Sequence, residues 1–201
     1  NGRADLARDA WMKATQRAMG GLAGRNRFVH LYLNGLYWGI YDIAERPDDA
    51  FAAAHLGGKR EDYEVINEWQ VKAGPADAAA RFRALRNLAS PARYEQLTRQ
   101  LDVPRFIDYA LLNFYAGNQD WGERKNWYVI RRREPPGPFQ FLAWDGEHTM
   151  EKLQDNIVQR PFEMPFRLLE ALRVNPEFQL AFAERVRQHC LGDGALSPKA
   201  C

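Results

Sequence analysis

The chain has 201 residues, enough for one domain or two small lobes around a buried core. Lys+Arg 28 nearly cancels Asp+Glu 26, and a net charge of +2 gives no case for a nucleic-acid or acidic-membrane partner. With 46% hydrophobic and 12% aromatic residues the composition excludes a disordered chain, and no apolar run approaches the ~18 residues of a membrane span. Cys190 and Cys201 provide neither a disulfide framework nor a zinc ligand set. The chain opens Asn1-Gly2-Arg3 without an initiator Met or a signal-peptide pattern and closes on Cys201, so a piece of a longer protein is expected.

From Ala4 to Met19, Leu6, Ala10, Ala14 and Ala18 recur at steps of four with Trp11 and Met12 alongside, which predicts an amphipathic helix with that stripe inward, ended by Gly20-Gly21. Phe28 to Leu33 and Tyr37 to Ile43 flank Asn34-Gly35, a strong hairpin signal. Glu45-Arg46-Pro47 breaks the second strand, and Asp48 caps a short helix holding Phe51 and Leu56, stopped by Gly57-Gly58. Short strands are expected at Tyr63 to Ile66 and Trp69 to Val71, and helices at Asp77 to Leu88 and from Ser90-Pro91 through Leu101. Asp102 to Tyr115 is apolar almost all round, the mark of a helix buried inside a lobe. Gly117 then releases the chain into Asn118-Gln119-Asp120-Trp121. Strands at Trp127 to Arg132 and Phe139 to Trp144 follow, joined through Pro135-Pro136-Gly137-Pro138. Helical periodicity returns after Pro165 with Phe166, Leu168, Leu169 and Leu172, and Asn175-Pro176 opens a last helix through Cys190.

The stretch from Phe106 to Thr149 carries the chemistry. A buried helix leads to a loop with Asp120 and Asn126, and a hairpin then leads to a turn with Asp145, Glu147 and His148. Hairpin pairing brings both turns to one end of the sheet, gathering two carboxylates and an amide. These are hard oxygen donors suited to Mg²⁺, which takes one or two carboxylates plus substrate phosphates. A carboxylate left off the metal can orient or deprotonate an attacking hydroxyl. The same order of parts forms the catalytic core of protein kinases, with two departures. Asn126 lies six residues after Asp120 where the kinase motif has five, and Asp145-Gly146-Glu147 stands in place of D-F-G.

Leu31-Tyr32-Leu33-Asn34-Gly35-Leu36-Tyr37-Trp38-Gly39-Ile40-Tyr41 and Glu45-Arg46-Pro47-Asp48 resemble the signature of the spore coat protein H (CotH) kinase family. So do Gly117 to Trp121, Lys125-Asn126-Trp127 and Phe141 to His148; in order, the resemblance covers roughly residues 5 to 190. It implies an α+β, reduced protein-kinase-like two-lobed fold. Residues 1–75 would be a small-lobe-like part and hinge, and 76–201 a mainly helical catalytic lobe. It further implies an atypical bacterial protein kinase that uses ATP with Mg²⁺ or Mn²⁺ to phosphorylate Ser or Thr of a protein substrate. Such proteins occur in spore coats, secreted or at the cell surface. By resemblance Asp120 is the catalytic acid that receives the hydroxyl proton, and Asp145, Asn126 and Glu147 are metal contacts. Glu45, at the end of the hairpin that leads to the inter-lobe hinge, and Lys72 are the candidates for ATP binding.

No Gly-rich phosphate loop or strand lysine precedes the first helix, so these parts of a full kinase are expected upstream of Asn1. Two alternatives stay open: a non-catalytic structural or binding module, and a phosphohydrolase or nucleotidyltransferase using the same acids. Trp38, Trp121, Trp127 and Trp144 are expected to pack in the core and hinge, Arg131-Arg132-Arg133 to form a solvated strand end, and His148 to make a structural hydrogen bond.

Overall fold

The computed structural model describes residues 5–122, 125–152, 154, 156–158 and 167–200. Pro165, Phe166 and Cys201 therefore lie outside the described residues. The chain begins with α1 (Leu6–Ala18), started by the Asp5 carboxylate accepting the Ala7 N–H. Then come β1 (Asn26–Leu33) and β2 (Leu36–Ala44), an antiparallel ribbon closed at Asn34-Gly35. Both turn residues have positive φ, as a tight hairpin of this hand requires.

α2 (Asp49–Leu56) starts where the Asp48 carboxylate accepts the Phe51 N–H at 2.8 Å and stops at Gly57, whose φ of 77° suits glycine. β3 (Tyr63–Asn67) and β4 (Gln70–Ala73) form the next hairpin. α3 (Ala78–Ala84) tightens into a 3-10 turn at Leu85–Leu88, and a second such turn at Pro91–Arg93 leads into α4 (Tyr94–Thr98). The two expected helices are thus short α-helical pieces each continued or opened by a 3-10 turn, with Ser90-Pro91 separating them. Leu101 leaves the helix to bridge Phe139, whose N–H and C=O bond Gln100 O and Asp102 N.

α5 (Val103–Tyr115) is capped by the Asp102 carboxylate and is buried from Val103 through Asn113 except around Pro104 and Arg105. β5 (Trp127–Arg132) and β6 (Gln140–Ala143) complete a four-stranded sheet in the order β4-β3-β5-β6, antiparallel throughout. α6 (Arg167–Leu172) and α7 (Pro176–Cys190) follow, with the Asn175 side chain capping α7.

The sheet sorts its side chains by the two-residue strand period. Ile66, Trp127, Val129, Phe141 and Ala143 face the larger core with α5, and Tyr63, Val65, Tyr128, Ile130 and Leu142 face α2. In the larger core Phe82 meets Phe139 and Phe141 at 5.1 and 5.6 Å between ring centroids, and Phe141 meets Phe106 and Tyr109 at 5.0 and 5.1 Å. Asp108 ties α5 to α7: its carboxylate accepts from Arg185 at 2.5 and 2.6 Å and lies 3.1 Å from His189 Nε2. The result is a mixed α+β fold of two small antiparallel sheets with, among the described residues, seven α-helices. None of these helices is long and apolar enough to cross a membrane.

Two expectations fail. The inward face of α1 is not the alanine stripe, since Ala14 and Ala18 are exposed. Met12, expected beside that stripe, is buried in the larger core with Met19, and Lys13, Thr15 and Gln16 are buried with them, because this face also meets β6 and the acidic turn beyond it. The ribbon is also less covered than expected. Trp38 is 58% exposed, as are Leu36, Ile40 and Ile43 to a similar degree, because no third strand joins the ribbon among the described residues. Trp127 is fully buried, and Trp121 and Trp144 pack against the two cores. The arginine run is partly held: Arg131 Nε donates to Gly137 O, and Arg132 and the Arg133 backbone reach Asp62.

Candidate active site

Two loops meet where the start of β5 lies beside the end of β6. The first is held from α5 outward: Asn113 Nδ2 donates to Tyr109 O, Asn118 Nδ2 to Asn113 Oδ1, and Asp120 N to Asn118 Oδ1 at 3.1 Å. Trp121 Nε1 donates to the Tyr109 hydroxyl at 3.0 Å and stands edge-on to that ring and to Phe114. The second loop follows β6 and turns at Asp145 into a short 3-10 segment, Gly146–His148. Backbone bonds sew the loops together. Gln119 N donates to His148 O at 3.0 Å, and Met150 N donates to Ala116 O at 2.7 Å.

Asn126 sits at the start of β5 with φ of 69°, and Asp145 has φ 56° and ψ 49°. Both are left-handed, a conformation that Asn and Asp bear better than other side chains and that recurs at functional loops. The Asn126 amide donates to both the carbonyl and Oδ2 of Asp120 at 3.0 Å, so a metal contact from this residue falls to its oxygen. Lys125 pairs with the other Asp120 oxygen. Asp145 is held above the usual carboxylate range, first by burial and then by the negative charges of Glu147, Asp9 and Asp120, with Lys13 opposing. The four acids thus share one electrostatic neighbourhood. His148 Nδ1 lies 2.7 Å from Glu151 Oε1, a structural hydrogen bond that raises the His148 pKa.

The donor set fits a hard divalent cation. It offers carboxylates at Asp145 and Glu147 and an amide oxygen at Asn126, where a cation would relieve the charge crowding around Asp145. No three acidic, His or Cys side chains form a ready-made cage among the described residues.

Glu45 and Lys72 are not brought to these acids. Glu45 follows β2, accepts the Arg25 N–H at 2.8 Å and lies 3.1 Å from His55 Nε2. Lys72, on the edge strand β4, donates to Gln70 Oε1 at 2.6 Å.

Three contributors escape a reading by motif. Glu68, in the β3–β4 turn, accepts the Asn126 N–H at 3.1 Å. Asp9 and Lys13 reach the second loop from α1, more than 130 positions away in sequence: Asp9 Oδ1 accepts the Gly146 N–H at 2.8 Å. Their one sequence signal is the acid–base spacing of i,i+4. The same helix explains why glycine follows Asp145. A Cβ at Gly146 would come within 2.7 Å of Met12 Cγ.

A buried helix, an acidic loop, a hairpin and a second acidic turn bound to the first are the parts of a kinase-like fold. The chain belongs to the CotH kinase protein family, whose model matches residues 4–186. No curated protein matches the chain.

Proposed function

We propose that the protein is a metal-dependent protein kinase that moves the γ-phosphate of ATP to a Ser or Thr hydroxyl of a protein substrate. The observation that carries this reading is the pairing of the two loops, which puts Asp120, Asn126 and Asp145 in one charged neighbourhood. Asp120 receives the hydroxyl proton and aims the nucleophile; Asn126 fixes its carboxylate, and Lys125 steadies it. Asp145, Glu147 and the Asn126 oxygen hold Mg²⁺ or Mn²⁺. When bound, that ion neutralises charge on the transferring phosphoryl group, and positioning supplies most of the rest. ATP contacts fall to Glu45 and Lys72, with residues 1–75 acting as the small-lobe-like part and hinge and 76–201 as the helical lobe. The four-stranded sheet spans that division, since β3 pairs with β5. A spore-coat, secreted or cell-surface bacterial setting goes with this reading.

The test is transfer from γ-labelled ATP to protein in the presence of Mg²⁺ or Mn²⁺. Asp120→Ala and Asp145→Ala should each lower the rate by about 100-fold or more. Unchanged rates would sink the assignment. Release of AMP in place of ADP would move the protein to nucleotidyl transfer, and absence of both transfer and ATP-induced thermal stabilisation would leave a non-catalytic module.

A further inference from the structure

The buried face of α1 follows β6 and the Asp145 turn residue by residue. Gln16 bonds Phe141 O and Ala143 N, the Lys13 ammonium lies 4.9 Å from the Trp144 ring centroid, and Asp9 takes the Gly146 N–H. Met12 fills the space over Gly146. Lys13 and Asp9 form an i,i+4 ion pair, with side chains only 3% and 14% exposed. A charge pair this deep carries a desolvation cost that a surface pair avoids, so burial alone does not account for it. It faces the turn that holds Asp145 and Glu147.

We propose that Asp9 and Lys13 are positioning residues for the Asp145 turn: Asp9 anchors the Gly146 amide, and Lys13 holds the Asp9 carboxylate in the orientation that does so. The role of the turn as a metal-holding element rests on the kinase reading above. The anchoring itself does not. Asp145 lies in the left-handed region with its own side chain making no capping bond to the segment that follows. The position of its carboxylate is therefore set from outside, through the amide of the next residue. Partners that orient a metal ligand in this way commonly carry about 10–100-fold in metal affinity.

Three variants separate the parts. Asp9→Asn keeps an acceptor for the Gly146 N–H and loses the ion pair; Asp9→Ala loses both; Lys13→Met keeps the stem over Trp144 and loses the charge. Amide hydrogen exchange at Gly146 reads the anchor directly, and Mn²⁺ titration in the presence of ATP reads its consequence. In Asp9→Ala the Gly146 amide should exchange at least about 10-fold faster and Mn²⁺ should bind about 10-fold or more weakly, with Asp9→Asn and Lys13→Met in between. Unchanged exchange at Gly146 in Asp9→Ala would overturn the anchoring. Faster exchange with unchanged Mn²⁺ affinity would overturn its link to the metal. If the unsubstituted protein binds no Mn²⁺ and transfers no phosphate, the kinase reading fails, while the exchange result still decides whether Asp9 holds the turn. If Asp9→Ala fails to fold, Asp9→Asn and Lys13→Met decide: both lose the ion pair, and Gly146 exchange unchanged in both would overturn its part in holding the turn.

Discussion

Gln16 is the most informative side chain to remove from the helix that holds the site. It is 3% exposed, its Nε2 donates to Phe141 O at 2.7 Å, and its Oε1 accepts from Ala143 N at 2.7 Å. β6 is an edge strand, so these are ladder groups with no strand beside them, and one amide side chain takes the place of that strand. Gln16→Ala would leave a buried N–H and a buried C=O without that partner. Each orphaned group costs about 1–3 kcal/mol, so the pair costs about 3 kcal/mol, and the better helix propensity of Ala returns only a few tenths. For a chain of this size that lowers Tm by roughly 6–12 °C. Urea unfolding followed by both far-ultraviolet circular dichroism and tryptophan fluorescence measures it, with coincident curves needed to license a two-state fit. Gln16→Met keeps length and bulk while removing both polar atoms, so it should lose nearly as much. A loss below about 1 kcal/mol in both variants would show that water satisfies the strand edge and that the helix does not clamp it.

Two further predictions concern the joint between α5 and α7. Asp108→Ala leaves Arg185 in place of a buried, doubly bonded pair and should cost about 3–5 kcal/mol in the same urea assay. Burial holds His189 below its ordinary value of 6.5, with Asp108 pulling it up and Arg185 and Arg105 pushing it down. Its folded pKa is depressed, so its contribution to stability is present above the unfolded value and is lost as pH falls through the folded one. Stability should therefore fall as pH drops below about 6.5, the unfolded value, and His189→Gln should flatten that part of the curve. His148, raised by Glu151, contributes with the opposite sign, and comparison with His189→Gln separates the two. An unaltered slope in His189→Gln would refute the assignment.

Features set by neighbours along the chain are legible in the amino-acid sequence. Asp48, Asp102 and Asn175 each cap the helix that follows because a short acceptor next to a helix start has few other options. Asn34-Gly35 fixes the ribbon in the same local way. The order of acidic turns is legible too, since hairpin geometry alone sends Asn126 and Asp145 to one end of the sheet.

What escapes is non-local. The alanine stripe of α1 follows the rule for helix faces, but the buried face is the one whose amide and charges match a strand edge and a turn over 100 residues away. Hydrophobic periodicity does not register a face of that kind. Glu68 is invisible for the same reason, being an acid in one turn that serves an amide in another. A lysine on a strand likewise carries no sign of which edge or face it will occupy: Lys72 lies on the edge strand β4 and donates to Gln70 of the same strand.

The central claim is that Asp120 and Asp145 divide the work of phosphoryl transfer. Equilibrium binding of ATP with Mn²⁺, measured beside single-turnover transfer in Asp120→Asn and Asp145→Asn, tests that division most directly. The account predicts that Asp120→Asn binds Mn²⁺-ATP within about twofold of the unsubstituted protein yet transfers at least about 100-fold more slowly, whereas Asp145→Asn loses about 10-fold or more in binding. Full transfer by either variant, or unaltered Mn²⁺-ATP binding by Asp145→Asn, would contradict it.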